Sequence, residues 1–143
     1  MMIMGVVNLL YVKMKKKDFI GKKALEAEKL KGVEWEFVGI EIEWDPFEKL
    51  HRDVGLAPGL PCTAWRTSTP LYRGNKQVGY ATSGTWSPIL KKYIALAHVK
   101  AEYAKENTQL DFELKVEHFR KLTPAQIVPT PFFDPERKRA CPQ

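Results

Sequence analysis

The stretch LYRGNKQVGYATSGTWSPILKKYIALAHVK, residues 71–100, decides the fold of this chain. An extended run at 68–73 ends at the pair Gly74-Asn75, and a second extended run, KQVGYATSG, follows it directly. Two extended runs joined by a Gly/Asn turn predict a β-hairpin. A third run, YIALAHVK at 93–100, has few polar residues and predicts a strand that is buried on both faces. The centre of the chain is therefore predicted to form an antiparallel sheet.

The segment TSGTWSP, residues 82–88, separates the second run from the third. Its small and hydroxyl residues favour a tight strand-to-turn corner in which Gly84 takes a positive φ. Ser87-Pro88 is typical of the start of a further turn. Ser83 is not part of a Gly-x-Ser-x-Gly nucleophile elbow, and the sequence contains no glycine-rich phosphate-binding motif. We interpret the segment as a structured strand-to-turn corner.

Further extended runs flank this centre. EWEFVGIEIEW at 34–44 and TQLDFELKV at 108–116 alternate between apolar and polar residues, which predicts strands with one buried face. A proline- and glycine-rich region at 45–65 predicts a loop, and PAQIVPTPFF at 124–133 predicts a last extended run that its prolines limit to an edge or a strand end. These runs predict a mainly β fold, either a small antiparallel barrel or a sandwich, and of the two we favour a small antiparallel Greek-key-like β-barrel.

One helix is predicted before the barrel. DFIGKKALEAEKLK, residues 18–31, places apolar residues at helical spacing, and Gly32 is a plausible end. The chain then divides into an N-terminal tail at 1–17, a linker helix at 18–32 and a barrel domain at 33–143. With 143 residues and 44% hydrophobic residues, the chain is long and apolar enough to bury one core.

Charge and cysteine usage bear on partners and on location. The net charge is +6, and residues 11–32 hold eight lysines against three acidic residues. We interpret this cluster mainly as a solvated helix face, with a polyanion site as the alternative. Cys62 and Cys141 form no Cys-x-x-Cys motif or even-spaced framework, and no run reaches the roughly 18 apolar residues of a membrane span. The expectation is a cytoplasmic chain that is not in a membrane.

Metal and nucleophilic chemistry find little support. The three histidines, His51, His98 and His118, lie in separate segments without ligand spacing, so no metal site is predicted. His98 is expected to be a hydrogen-bonded histidine in the core or on the barrel face. No catalytic residue is predicted. A stand-alone basic barrel that binds single-stranded nucleic acid through its tryptophans is a lower-ranked alternative: Trp35, Trp44, Trp65 and Trp86.

The segment VGYATSGTWSPILKKYIALAHV, residues 78–99, resembles the signature of the C-terminal domain of the glycine cleavage T-protein (aminomethyltransferase) family. The resemblance extends in order over residues 18–139. Its further pieces are DFIGKKAL (18–25), VGIEI (38–42), TPLYRGNKQVG (69–79) and AQIVPTPFFDPERKR (125–139). It identifies 33–143 as the aminomethyltransferase C-terminal β-barrel domain.

The resemblance implies transfer of a one-carbon unit to tetrahydrofolate, with an aminomethyl group on a lipoyl arm as donor in the T-protein. In the family, the barrel packs on a larger N-terminal domain that holds the folate and carries the essential aspartate. That aspartate has no counterpart here, and Asp18 belongs to the linker motif. We therefore expect this chain to be inactive alone. Its expected partner is a folate-binding N-terminal domain or subunit, and the lipoyl carrier protein is a possible further one.

By analogy with the family, two arginines are candidate cofactor-binding residues. Arg137 would hold the glutamate carboxylates of tetrahydrofolate by bidentate hydrogen bonds, and the alternative is an exposed basic tail. Arg66 lies where many relatives carry an arginine and would line the domain interface, and the alternative is an ion pair at the rim. A regulatory role, as the partner of a full-length relative, is a further reading of the whole chain.

Overall fold

The computed structural model describes residues 15–61 and 63–138. The predicted tail at 1–17 therefore falls mostly outside the described residues, as do Cys62 and Cys141. The division into tail, linker helix and barrel domain stays a prediction. Within the described ranges, no helix is long and apolar enough to cross a membrane.

The strands form a closed six-stranded antiparallel barrel in the order β1-β4-β3-β2-β5-β6. Strands β2, β3 and β4 form a meander, and a long connection places β1 beside β4, which is the Greek-key arrangement. The fold prediction is confirmed. The elements are α1 (Lys22–Lys31), β1 (Trp35–Ile42), α2 (Trp44–Arg52), β2 (Thr69–Arg73), β3 (Lys76–Ser87), β4 (Lys92–Lys100), β5 (Gln109–Val116) and β6 (Phe119–Val128), with 3-10 turns at Ala101–Tyr103 and Glu136–Lys138.

The core fills the barrel interior, and the alternating sequences supply it. Val38, Ile40 and Ile42 of β1 are buried, as the predicted apolar face of 34–44 requires. The same holds for Leu110 and Phe112 of β5. Because a closed barrel leaves no unpaired strand edge, every strand contributes its inner face to one core.

The prediction of a loop over all of 45–65 is wrong at its start, since α2 spans Trp44–Arg52. Asp45 and Pro46 lie in the first turn of this helix, where a carboxylate and a proline are both tolerated. Phe47 is the reason for the helix: its side chain is 4% exposed, and its ring lies 5.3 Å from that of Tyr93. Burial of this ring outweighs the loop-like composition of the segment.

The predicted corner at 82–88 is also wrong. Strand β3 continues through it to Ser87, with a register shift between Ala81 and Ser83, and Gly84 does not have a positive φ. The chain turns only after Ser87, and Lys91 takes the positive φ of 52°. The turn that starts at Ser87-Pro88 is confirmed, and the Ser87 hydroxyl accepts a hydrogen bond from the Leu90 amide at 3.3 Å.

The last strand begins earlier than predicted, at Phe119. It pairs with β5 through a turn at Glu117-His118, whose φ values of 47° and 69° are those of a type I′ turn. After Val128 the chain crosses the outside of β1 instead of extending the strand. A Cβ placed on Gly39 would lie 2.6 Å from the Thr130 methyl group, so this glycine admits the crossing segment.

Candidate functional site

Helix α2 covers one end of the barrel with a cluster of aromatic rings. The ring of Trp44 lies 5.0 Å from that of Trp86 and 5.6 Å from that of Phe47. The Trp65 indole N–H donates a hydrogen bond to the Tyr93 hydroxyl at 2.8 Å. Burial raises the pKa of Tyr93, so the hydroxyl stays neutral at physiological pH and accepts this bond. This end of the barrel is a packed cap of aromatic rings.

Trp65 enters the barrel wall through an unusual pairing with Gly84. The two residues exchange both backbone hydrogen bonds, at 3.0 and 3.2 Å, although Trp65 lies outside the named strands. A Cβ on Gly84 would lie 2.7 Å from Cε2 of the Trp65 indole, a distance that side chains do not tolerate. Gly84 therefore leaves the space that the Trp65 indole occupies. This explains why the segment TSGTWSP has a residue without a side chain at this position.

Arg66 and Arg137 lie in different segments of the chain. Arg66 directly follows Trp65 and is therefore held against β3, and its side chain is exposed. Arg137 is exposed in the 3-10 turn that follows the segment crossing β1. Strand β4 separates β1 from β3, and neither guanidinium makes an ion pair within residues 15–61 and 63–138. Both are free to bind an external anion, and their role with folate stays a prediction.

His98 is 6% exposed on the outer face of the barrel, between Phe37 and Tyr80. Its ring centroid lies 5.1 and 5.4 Å from theirs. Its Nδ1 is buried and has no hydrogen-bond partner among the described residues, so the predicted hydrogen-bonded histidine is wrong at this atom. Burial lowers the pKa of His98, which keeps the ring neutral. The environment is that of a packed aromatic ring rather than of a base in a site.

Two features of the described residues bear on metal and nucleophilic chemistry. Among them, no three His, Cys, Asp or Glu side chains approach one another closely enough to hold a metal. Four serine and threonine hydroxyls in the described ranges make hydrogen bonds with backbone groups. They belong to Thr69, Thr82, Thr85 and Ser87. Without a neighbouring base, such hydroxyls are not activated for attack.

One groove was not foreseen from the sequence. It has a volume of about 350 Å³ and is lined by Tyr72, Gly74, Asn75, Glu113, Arg120 and Leu122. Its only sequence signal is the outward position of Glu113 in the alternating run at 108–116. That signal does not distinguish it from any other exposed carboxylate.

Known proteins of similar sequence show the family of this chain. The profile of the glycine cleavage T-protein C-terminal barrel domain matches residues 51–134. This chain belongs to that family. The chain is 41% identical over 116 residues to the aminomethyltransferase of Prochlorococcus marinus strain NATL2A, covering 81% of this chain and 26% of the relative. It is 36% identical over 119 residues to that of Bacillus cytotoxicus, covering 83% and 27%.

A solved structure shows the same fold. Aminomethyltransferase T of the glycine cleavage system from Bartonella henselae superposes on this chain with a TM-score of 0.60 at 21% sequence identity. The superposition covers 84% of this chain and 28% of that protein. The chain therefore spans about a quarter of the length of the relatives it matches. The matched range includes Arg66, whereas Arg137 lies three positions beyond its end.

Proposed function

We propose that this chain is the C-terminal barrel of a tetrahydrofolate-dependent aminomethyltransferase, and that it closes the folate cavity of a separate folate-binding region. Family membership together with the coverage carries the proposal, since the chain matches only about a quarter of the length of each relative. On this view the folate and the catalytic aspartate are held by the other three quarters. The barrel alone transfers no one-carbon unit.

The side chains described in the barrel support the proposal that folate binding and catalysis belong to the folate-binding region. The hydrogen bonds of its described serine and threonine hydroxyls are with backbone groups, and its described carboxylates and histidines form no metal site. Its cap is a packed aromatic cluster that stiffens one end of the fold. We therefore propose that the barrel forms a wall or a lid of the active site and not its catalytic centre.

We assign Arg66 and Arg137 to the anionic end of the cofactor or to the interface beside it. Both guanidinium groups are exposed and without an ion pair within the described residues. A planar guanidinium forms two parallel hydrogen bonds with a carboxylate, and the glutamate tail of tetrahydrofolate carries carboxylates.

The lipoyl carrier protein is the proposed source of the aminomethyl group. The proposal places the chain in the cytoplasm.

Stacking on single-stranded nucleic acid is less well supported by the structure. Trp44, Trp65 and Trp86 are partly buried and pack against the core, which leaves their faces unavailable as a base platform. The regulatory reading, a barrel that pairs with a full-length relative, differs from the main proposal only in its partner. Both predict affinity for a folate-binding domain.

Calorimetric titration with tetrahydrofolate tests the proposal. The 143-residue chain is titrated alone and then mixed with the isolated folate-binding domain of the Prochlorococcus marinus relative. We expect no heat of binding with the chain alone, and binding in the mixture that is tighter than with the folate domain alone. Tight binding by the chain alone would show that the barrel carries its own folate site. A mixture that behaves as the sum of its components would contradict the assigned role.

A further inference from the structure

The groove described above lies on the outer surface of the barrel, where β2 meets β5 and β5 meets β6. Tyr72 and Glu113 follow the core residues Leu71 and Phe112, so strand alternation turns them outward. Leu122 is the cross-strand partner of Glu113 and shares that face. The volume of about 350 Å³ lies within the range of small-ligand sites, roughly 300–1,000 Å³.

Glu113 is the most buried acidic partner among the ion pairs of residues 15–61 and 63–138, with its side chain 13% exposed. Its Oε2 accepts a hydrogen bond from the Tyr72 hydroxyl at 3.2 Å. The Nε of Arg120 lies 3.8 Å from Oε1, which is too long for a hydrogen bond. Because a carboxylate has about four acceptor positions, Glu113 retains capacity for a strong external donor.

The walls beside this carboxylate are apolar. The ring of Tyr72 lines one part of the groove, and Leu122, 49% exposed, lines another. An aromatic face attracts a cation, and an aliphatic side chain covers the methylene stem of an amphipathic amine. We propose that the groove binds an alkylammonium group, whose N–H donors reach Glu113 while its carbon stem lies on Leu122 and Tyr72. This site is independent of the function proposed above.

The alternative ligand, a carboxylate on Arg120, fits the groove less well. Arg120 has its side chain 73% exposed, so it is not held in place, whereas Glu113 is fixed between strands. Asp111 pairs with Tyr72 across β2 and β5 and adds a second carboxylate on this face. Lys115 pairs with Arg120 and adds a cation farther toward the hairpin end. An anion would approach both acids, while an ammonium group would replace Arg120 as the partner of Glu113.

Nuclear magnetic resonance titration of the full 143-residue chain tests this site with three probes of one shape. The probes are hexylammonium, hexan-1-ol and hexanoate, and the signals are the Leu122 methyl groups and the Tyr72 ring. We expect saturable shifts with hexylammonium and much weaker ones with the other two. Equal binding of hexan-1-ol would mean that only apolar surface is recognised, and tighter binding of hexanoate would make Arg120 the recognition group. Either result overturns the proposal.

Variants separate the two charges of the groove. Glu113→Gln keeps the shape and the acceptor for Tyr72, and it should weaken hexylammonium by about tenfold or more through the loss of a charged hydrogen bond. Arg120→Ala, at an exposed position, should tighten binding severalfold because it removes the competing cation. The control is Glu41→Gln, which removes a carboxylate paired with Lys92 at 2.8 Å on β1 and should leave binding unchanged. Unchanged binding in Glu113→Gln, or weaker binding in Arg120→Ala, contradicts the assignment.

The same chemistry occurs in small aliphatic amines and in the lysine side chains of proteins. Titration with Nα-acetyl-lysine N-methylamide distinguishes the two sources. Binding at least as tight as that of hexylammonium assigns the groove to a lysine of a partner protein, and weaker binding assigns it to a small amine. Failure of both probes to shift Leu122 refutes the site.

Discussion

The indole N–H of Trp65 donates to the hydroxyl of Tyr93 at 2.8 Å, and this bond joins residues 28 positions apart in the sequence. It fixes the segment before β2 to the first residues of β4, beside the α2 cap. Phe112 lies near both rings, with centroid distances of 6.0 and 6.4 Å. The bond is therefore part of a packed aromatic junction that holds three stretches of chain together.

Replacement of the acceptor in this junction should destabilise the fold. Tyr93→Phe leaves the Trp65 N–H without its partner, and we expect a loss of about 1–2 kcal/mol in the free energy of unfolding. Urea unfolding measures it, and tryptophan fluorescence reports the change in polarity at Trp65. Trp65→Phe removes the donor, so the double variant should lose less than the sum of the single losses. Strict additivity would mean that the bond does not couple the two segments.

Gly84→Ala should destabilise the barrel because its methyl group has no room. The new Cβ would lie 2.7 Å from Cε2 of Trp65 and 2.9 Å from the Cβ of Ala95. We expect a loss of about 1–3 kcal/mol, as for other overpacked cores, measured by urea unfolding. Gly59→Ala is the matched control, because nothing lies within 4 Å of its added Cβ. Equal losses of unfolding free energy in the two variants would contradict the claim that Gly84 makes room for the Trp65 indole.

Thr123→Val should stabilise the fold. Thr123 is fully buried in β6, and its hydroxyl has no hydrogen-bond partner within residues 15–61 and 63–138. Removal of an unpaired buried hydroxyl without a change of shape should add about 1 kcal/mol to the free energy of unfolding. Thr82→Val is the control, since the Thr82 hydroxyl donates to the Leu96 carbonyl at 3.2 Å and its loss should bring no gain. A less stable Thr123→Val protein would point to a partner for this hydroxyl.

The buried state of His98 should make the fold sensitive to acid. Burial lowers the pKa of His98 below its unfolded value of about 6.5. Below that pH the unfolded chain binds a proton that the folded chain resists, so stability is full above pH about 6.5 and falls as the pH decreases. His98→Phe keeps a ring between Phe37 and Tyr80 and should flatten the pH dependence of urea unfolding between pH 7 and about 5.

The matched control for His98 is a histidine in the solvent. His118→Asn is exposed in the β5–β6 turn, and asparagine tolerates its φ of 69°. This variant should retain the pH dependence of the parent chain. The interpretation fails if His118→Asn removes the acid sensitivity and His98→Phe does not.

Loss of Arg66 or Arg137 should weaken folate binding in the mixture of barrel and folate-binding domain. Each guanidinium offers paired donors to a carboxylate, so we expect each alanine variant to lose about tenfold or more in tetrahydrofolate affinity by calorimetry. Arg52→Ala, at the exposed end of α2, is the control. Unchanged affinity in both Arg66→Ala and Arg137→Ala would assign them to the surface without a role in cofactor binding.

Local sequence patterns predicted the features that depend on neighbouring residues. The Gly74-Asn75 hairpin and the alternating strand at 108–116 both agree with the structure. Helix α2 was missed because composition suggested a loop, and only the burial of Phe47 shows what holds it. The turn at Glu117-His118 was missed because neither residue is the glycine or asparagine usual at positive φ.

The candidate sites also differ in how far the sequence could predict them. Arg66 and Arg137 came from resemblance, since no local pattern marks an exposed arginine as a ligand. The alkylammonium groove could not be predicted, because Tyr72 and Glu113 are 41 positions apart and meet only across β2 and β5. Barrel closure is what converts an ordinary outward glutamate into a partly buried one with unused acceptors.

The sequence by itself determined where most of the strands lie, the buried faces of β1 and β5, and the family of this barrel, because alternation and short motifs are properties of adjacent residues. Tertiary structure alone decided that Gly84 receives the Trp65 indole, that Phe47 folds α2 over the barrel end and that Glu113 lines a groove. Each of these depends on side chains brought together by the register of non-neighbouring strands, and that register exists only once the barrel has closed.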